Sequence, residues 1–179
     1  MDERPGTVLE SEVVFEGRML SVHRDLVRLP KGHETRLEVV RHVGSVVLLP
    51  MPDPAHLILV RQYRYAVDRW LWELAAGCLE PDEDPAAAAA RECEEETGLV
   101  PATVEPLGSF FPSPGYSDEL MHFFRLTGLR EPREGDERAM PDADEDIHVR
   151  RFTLEEVREM LRRGEIQDLK TAVGVTLVG

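Results

Sequence analysis

Apolar and polar positions alternate through the first third of the chain, and the alternation reads as β-structure. "SEVVFEG" and "LSVHRDLVRL" are strand-like, and "PKGHE" is a turn signal before a third segment, "TRLEVVRHV". "SVVLLP" is a short continuous apolar run, as expected of a buried strand. The breaker "MPDPA" separates it from "HLILVRQYRYAV", a further strand, and "RWLWELAAG" follows. The period then changes. Asp84 is placed as an N-cap, Pro85 at the first helical position, and Ala86 to Ala90 propagate a helix that Gly98 stops. On this helix Ala86, Ala89, Ala90 and Cys93 line one narrow face, small enough to lie close against a sheet.

Beyond it, "ATVEPLGSFFPSPG" reads as a strand running into a proline-rich loop, and "LMHFFRLTGL" as another strand. "REPREGDERAMPDADED" is charged and breaker-rich, hence a long loop, and "DIHVRRFT" is a strand. "TLEEVREMLRRGEI" carries a capping box, Thr153 with Glu156, and "DLKTAVGVTLV" is a last helix. The order is β-rich, then helix, β and helix. It predicts an α+β or αβα-sandwich pattern, with an antiparallel β element over residues 1–43 and a main domain over 44–179.

Composition narrows the function classes. Of 179 residues 42% are hydrophobic, enough for a packed core, and the formal net charge is −14. An acid excess of that size argues against a nucleic-acid or anionic-membrane surface. A phosphate-ester substrate would need its repulsion screened, which a divalent cation does. Two cysteines, Cys78 and Cys93, form no disulfide framework. "MDERPGTVLE" has no apolar signal core, and no apolar run reaches the length of a membrane span, so a soluble, cytoplasmic protein is expected.

The end of the alanine-rich helix breaks two local rules. In "RECEEETGLV", Glu92 and Glu96 are four residues apart and Glu92 and Glu95 three, so all three share one face. Each like-charge pair destabilises the helix by a few tenths of a kcal/mol, about 0.2–0.5, and the helix dipole disfavours anions at this end. Local rules broken together mark a functional site. Carboxylates so arranged suit a hard cation such as Mg²⁺ or Mn²⁺, and Arg91, four residues before Glu95, is placed to orient it. Glu94 falls on another side and reads as solvated.

The wider segment is "GCLEPDEDPAAAAARECEEETGL", Gly77 to Leu99. Its spacing of Gly77, Glu83, Arg91-Glu92, Glu95-Glu96 and Gly98 resembles the signature box of the Nudix hydrolases. The one departure is Cys93, where that family has an aliphatic residue, and cysteine behaves as a small buried hydrophobe. The resemblance implies an αβα sandwich around a mixed sheet and hydrolysis of a nucleoside diphosphate linked to another moiety. It implies direct metal binding by Glu92 and Glu96, a further metal or its water on Glu95, a loop role and an accessory metal role for Glu83, and a ligand carbonyl on Ala76.

Residues outside the box narrow the substrate. Pro114 lies 16 positions after Gly98, within "FPSPGYSDE", and "RQYR" precedes "WELAAG". Together with the N-terminal β element these resemble the ADP-ribose pyrophosphatase subgroup. The resemblance implies a homodimer with ADP-ribose as substrate, AMP and ribose 5-phosphate as products, and the N-terminal element helping to build the adenine pocket. The alternatives are another nucleoside diphosphate sugar as substrate, or a non-catalytic nucleotide-sensing module. Arg61 and Arg64 are the expected phosphate or adenine contacts, because guanidinium both forks to phosphate and stacks on bases. Phe15, Arg36 and Trp70 are expected adenine neighbours, with core packing an equal reading for Phe15 and Trp70, and an edge-strand polar face the plain reading of "RQYR". By similarity the catalytic base lies in a loop after the box, where "MPDADEDIHV" offers Glu145, with Asp142, Asp144 and Asp146 as rivals.

Overall fold

In the computed structural model of the chain, residues 5–133 and 147–179 are described. The chain divides into two units, Met1–Gly44 with Phe111–Leu120, and Ser45–Phe110 with Met121–Gly179.

The first unit is built on a three-stranded antiparallel sheet of β1 (Thr7–Glu16), β2 (Leu20–Arg28) and β3 (Glu34–His42). Gly32, at φ +85°, makes the tight turn between β2 and β3 that the "PKGHE" signal predicts. Every residue of β1 is exposed, including Val8, Val13 and Phe15. Asp25 of β2 is the buried polar residue of this unit: it accepts from Ser11 Oγ at 2.6 Å and from Arg41 Nη2 at 2.7 Å. The 111–120 segment is tied to β3. The Val40 amide donates to the Tyr116 carbonyl at 2.7 Å, Asp118 N–H returns a bond to Val40 at 3.1 Å, and Arg41 Nη1 reaches Asp118 at 3.1 Å.

The second unit holds the remaining sheets. The mixed one has the order β7 (Ala76–Cys78), β4 (Ser45–Pro50), β9 (Met121–Thr127), β8 (Thr103–Phe110), with β4 and β9 parallel and the other pairs antiparallel. An antiparallel sheet joins β10 (His148–Thr153), β5 (His56–Arg64) and β6 (Arg69–Glu73). Helices α1 (Pro85–Thr97), α2 (Leu154–Arg162) and α3 (Leu169–Leu177) complete it.

The apolar run of β4 is buried along its whole length because both of its faces are covered. Val46 and Leu48 pack with Ala88, Ala89 and Cys93 of α1 and with Phe124 and Leu126. Val47 and Leu49 face the other way, into a layer with Leu57, Leu59, Leu74, Phe123, Phe152, Val157 and Val175. Period-2 alternation on one strand therefore feeds two core layers. This is the αβα sandwich the element order predicts.

Two local expectations are corrected. The buried residues of α1 are Ala88, Ala89, Glu92, Cys93 and Glu96, with Ala86 packed partly buried beside them, so the covered face leaves out Ala90 and takes in two of the carboxylates. "RQYR" is not on an edge strand either: β5 is the middle strand of its sheet, with β10 and β6 on its two sides.

Candidate active site

The carboxylate helix begins and ends where its sequence dictates. Asp84 Oδ2 accepts from the Ala86 and Ala87 amides, each at 3.1 Å. Gly98, at φ +72°, takes the left-handed C-cap position and its amide reaches the Glu94 carbonyl at 2.8 Å. Between these caps the glutamates are brought to one face, and Arg91 fans out among them. Its Nε and Nη2 hold both oxygens of Glu83 at 2.9 Å, and its Nη1 donates to Glu92 Oε1 and Glu95 Oε2, each at 2.8 Å. Arg91 thus braces three carboxylates, where the sequence reading gave it Glu95 alone. Glu83 in turn accepts from the Glu80 amide at 3.0 Å, which folds the loop ahead of α1.

Glu96 takes the Ala76 amide on Oε1 at 3.3 Å, so the residue expected to offer its carbonyl is already at the carboxylate. Gly77 follows immediately in β7. A β-carbon there would overlap the Glu92 carboxylate itself, so glycine is the residue that lets this backbone lie against it.

Burial shapes the charges. Glu92 and Glu96 are both buried, and burial pushes the Glu92 carboxyl up to about 7, with Arg91 opposing the rise and Glu95 adding to it. Glu83 is held below the ordinary range, chiefly by its bonds from Arg91. The Cys93 thiol is fully buried and pushed up to about 11 by burial, as a packing residue rather than a reactive one would be. Glu94 departs from its expected solvated state: it is half-buried, and its Oε1 is enclosed with no hydrogen-bond partner among the described residues.

The donor set is all oxygen, anionic and buried, which fits a hard divalent cation rather than a soft one. Among the described residues no three such side chains are gathered at metal-holding distances, because Arg91 stands among Glu83, Glu92 and Glu95.

The other expected residues fall in several places. Arg64 gives Nε and Nη2 to the two oxygens of Glu73, each at 2.8 Å. Arg61 lies over the Trp70 ring at 5.5 Å from its centroid, and Trp70 is half exposed between Tyr63 and His148, so core packing is not its role. Phe15 on β1 is likewise exposed, and Arg36 on β3 faces Glu10 at 3.7 Å. Pro114 lies in the segment tied to β3. Glu145, Asp142, Asp144 and Asp146 lie outside the described residues, as does most of the predicted acidic loop. A cavity of about 430 Å³ bounded by Met51, Asp53, Glu105, Arg125 and Val178 contains none of the expected site residues.

Sequence reading passed over Glu73 and Lys170, which meet in the core. The signal was present: a carboxylate inside "WLWELAAG" and one lysine in the otherwise apolar "LKTAVGVTLV".

A helix braced by one arginine and closed by a glycine of the facing strand, in a sandwich around a mixed sheet, defines a class, and comparison agrees with it. The chain belongs to the Nudix family of hydrolases: the NUDIX domain matches residues 40–171. It is similar to an ADP-ribose pyrophosphatase of Bacillus subtilis (strain 168), 35% identical over 170 residues, covering 93% of this chain and 89% of that protein. An ADP-ribose pyrophosphatase of Mycobacterium tuberculosis (strain ATCC 25618 / H37Rv) is 36% identical over 182 residues, covering 99% and 85%. The fold is also that of an ADP compounds hydrolase crystal structure, with a TM-score of 0.78 at 24% identity over 98% of this chain and 92% of that one. Nudix hydrolases generally use divalent cations. Among the described residues no helix is long and apolar enough to cross a membrane.

Proposed function

We propose that this protein hydrolyses the pyrophosphate bond of ADP-ribose to AMP and ribose 5-phosphate with Mg²⁺ as its cation. The observation that carries the reading is the face of α1 on which Glu92, Glu95 and Glu96 stand together, with Gly77 laid against Glu92 and the Ala76 amide on Glu96. The similarity to ADP-ribose pyrophosphatases over more than nine-tenths of the chain supports the choice of substrate. Glu92, Glu96 and the Ala76 carbonyl would hold the cation, with Glu95 and Glu83 beside them. When bound, such a cation neutralises charge on the pyrophosphate and lowers the pKa of water.

The protein's own groups do the rest. Arg91 holds Glu92 and Glu95 in place and opposes the rise of the Glu92 carboxyl. Arg64 and Arg61 meet phosphate or base, and Phe15, Arg36 and Pro114 set adenine and substrate preference. Glu145 is the general base that takes a proton from the attacking water. The exposed apolar side chains of β1, Val8, Val13 and Phe15, support pairing of the N-terminal element with a second copy, a homodimer working in the cytoplasm without a nucleic-acid or membrane partner.

The test is AMP release from ADP-ribose with and without Mg²⁺ in isotopically labelled water, beside GDP- and UDP-sugars. Preferred turnover of a GDP- or UDP-sugar refutes the substrate. Glu96→Gln is expected to lower kcat by at least ~10²-fold with the fold intact, and Glu145→Gln to cost rate rather than cation affinity. Sedimentation of the intact chain reads the oligomeric state.

A further inference from the structure

The core of the second unit contains an ionic assembly that the metal face does not use. Glu73, the last residue of β6, is 1% exposed, yet it carries a carboxylate. A carboxylate taken that far from water is costly unless cations meet it. Two do so: Lys170 Nζ, itself 8% exposed, from α3, and the forked Arg64 guanidinium from the end of β5. Lys170 also reaches Asp168 Oδ1 at 3.1 Å. Asp168 caps α3 through the Thr171 amide at 2.9 Å, and Thr171 Oγ1 accepts from the Leu74 amide at 2.8 Å. The start of α3 is thereby stapled to the chain two residues before Ala76.

Arg64 is the partly exposed member, with 40% of its side chain open to solvent. Its Nε and Nη2 are spent on Glu73, while Nη1 donates to no described residue. A guanidinium clamped on one edge offers its other edge in one fixed direction, the pre-organisation that a forked phosphate contact requires. Glu96 contributes to the field at Arg64, so the guanidinium lies within electrostatic reach of one carboxylate of α1.

We propose that Glu73 and Lys170 are positioning residues for substrate: Lys170 anchors the Glu73 carboxylate to α3 in the core, and Glu73 aims Arg64 at a phosphate of the nucleoside diphosphate sugar. The inference rests on Arg64 meeting phosphate, as proposed above. Without Lys170, the Glu73 carboxylate loses its anchor on α3 and either draws the Arg64 guanidinium inward or turns with it. Either way the open edge loses its aim.

The test is a double-mutant cycle on the intact enzyme with ADP-ribose and Mg²⁺. Lys170→Met is expected to raise KM about 10-fold while kcat changes less than about 3-fold, and the KM effect is expected to vanish in an Arg64→Ala background. An equal fold-change in both backgrounds would mean the pair is a structural staple only, and would overturn the proposal. If Lys170→Met does not fold, the uncharged pair Glu73→Gln with Lys170→Met answers the same question, because an ion pair replaced on both sides is tolerated better than one broken. In that double variant, a KM equal to the wild-type value overturns the proposal. Absent turnover of ADP-ribose by the wild type refutes the substrate reading instead, and the cycle is then run on the nucleotide sugar the wild type does hydrolyse.

Discussion

Replacing Gly77 by alanine separates the role of Gly77 in the site from its role in the fold. Gly77 sits in extended backbone opposite Val46, outside the set of glycines with positive φ, so alanine meets no backbone strain there. In the unfolded chain alanine removes conformational freedom that glycine would have, which stabilises the protein by about 0.4–1 kcal/mol. Against this, the new methyl group overlaps the Glu92 carboxylate, the far end of a flexible side chain, which swings away. Glu92 then loses its 2.8 Å bond from Arg91, worth about 1.5–3 kcal/mol at most and less at a partly exposed arginine. The first change offsets part of the second, and the unfolding free energy is expected to fall by about 2 kcal/mol or less. Activity has no such offset. A carboxylate displaced by about an ångström at a reacting centre costs on the order of 10²-fold, or about 2.7 kcal/mol of transition-state stabilisation. Urea unfolding followed by tryptophan fluorescence measures the first quantity, and AMP release at saturating Mg²⁺ the second. A Gly77→Ala enzyme with kcat/KM within about 3-fold of wild type would refute the claim that Glu92 must lie against this backbone. One that loses several kcal/mol of stability would refute the claim that the glycine serves the site rather than the fold.

Other expectations follow from the packing and the charges. Gly174→Ala on α3 drives a methyl group into the Leu74 side chain with Leu49 behind it, and overpacking of this kind is expected to destabilise by about 1–3 kcal/mol in a urea titration. Asp25 is held below the usual carboxylate value of 3.8, first by the Ser11 hydroxyl and then by Arg41. A depressed folded value means the stabilisation is complete above the unfolded value and is lost as pH falls through the folded one. Asp25→Asn should therefore trail wild type by a fixed margin at neutral pH, with the gap closing below about pH 4; a gap independent of pH would refute the assignment. Glu83→Gln removes the forked partner of Arg91, and the freed guanidinium is expected to crowd Glu92 and Glu95, lowering divalent-cation affinity about 10-fold by calorimetry.

What could be read in advance was local. The caps of α1, Asp84 and Gly98, and the capping box of α2 need only neighbours within four residues, and the composition of those stretches dictates them. The carboxylate face followed from helical periodicity for the same reason. The pairings that required distant partners were not legible. β4 lies parallel to β9, more than 70 residues away, and that pairing decides which side chains of each reach α1. Glu73 and Lys170 are 97 residues apart, and each alone looks like an isolated polar residue in an apolar run. Arg91 illustrates the intermediate case: its bond to Glu95 is a helical neighbour contact, whereas its fork on Glu83 depends on how the loop at Glu80 folds back.

The two-faced burial of β4 has a bearing on how this enzyme tolerates change. Val46 and Leu48 share their layer with Ala88, Ala89 and Cys93, so an exchange there shifts the helix that carries the carboxylates. Val47 and Leu49 sit against Leu57, Leu59 and Val175, with the sheet between them and α1. Substitutions on the second face meet the site chiefly through Ala76, which packs in that layer, so they are expected to change stability more than turnover. Those on the first face are selected together with the chemistry. One six-residue strand thus divides the protein into a reservoir of neutral variation and a layer under functional constraint, and a library built on Val47 and Leu49 would sample the first without disturbing the second.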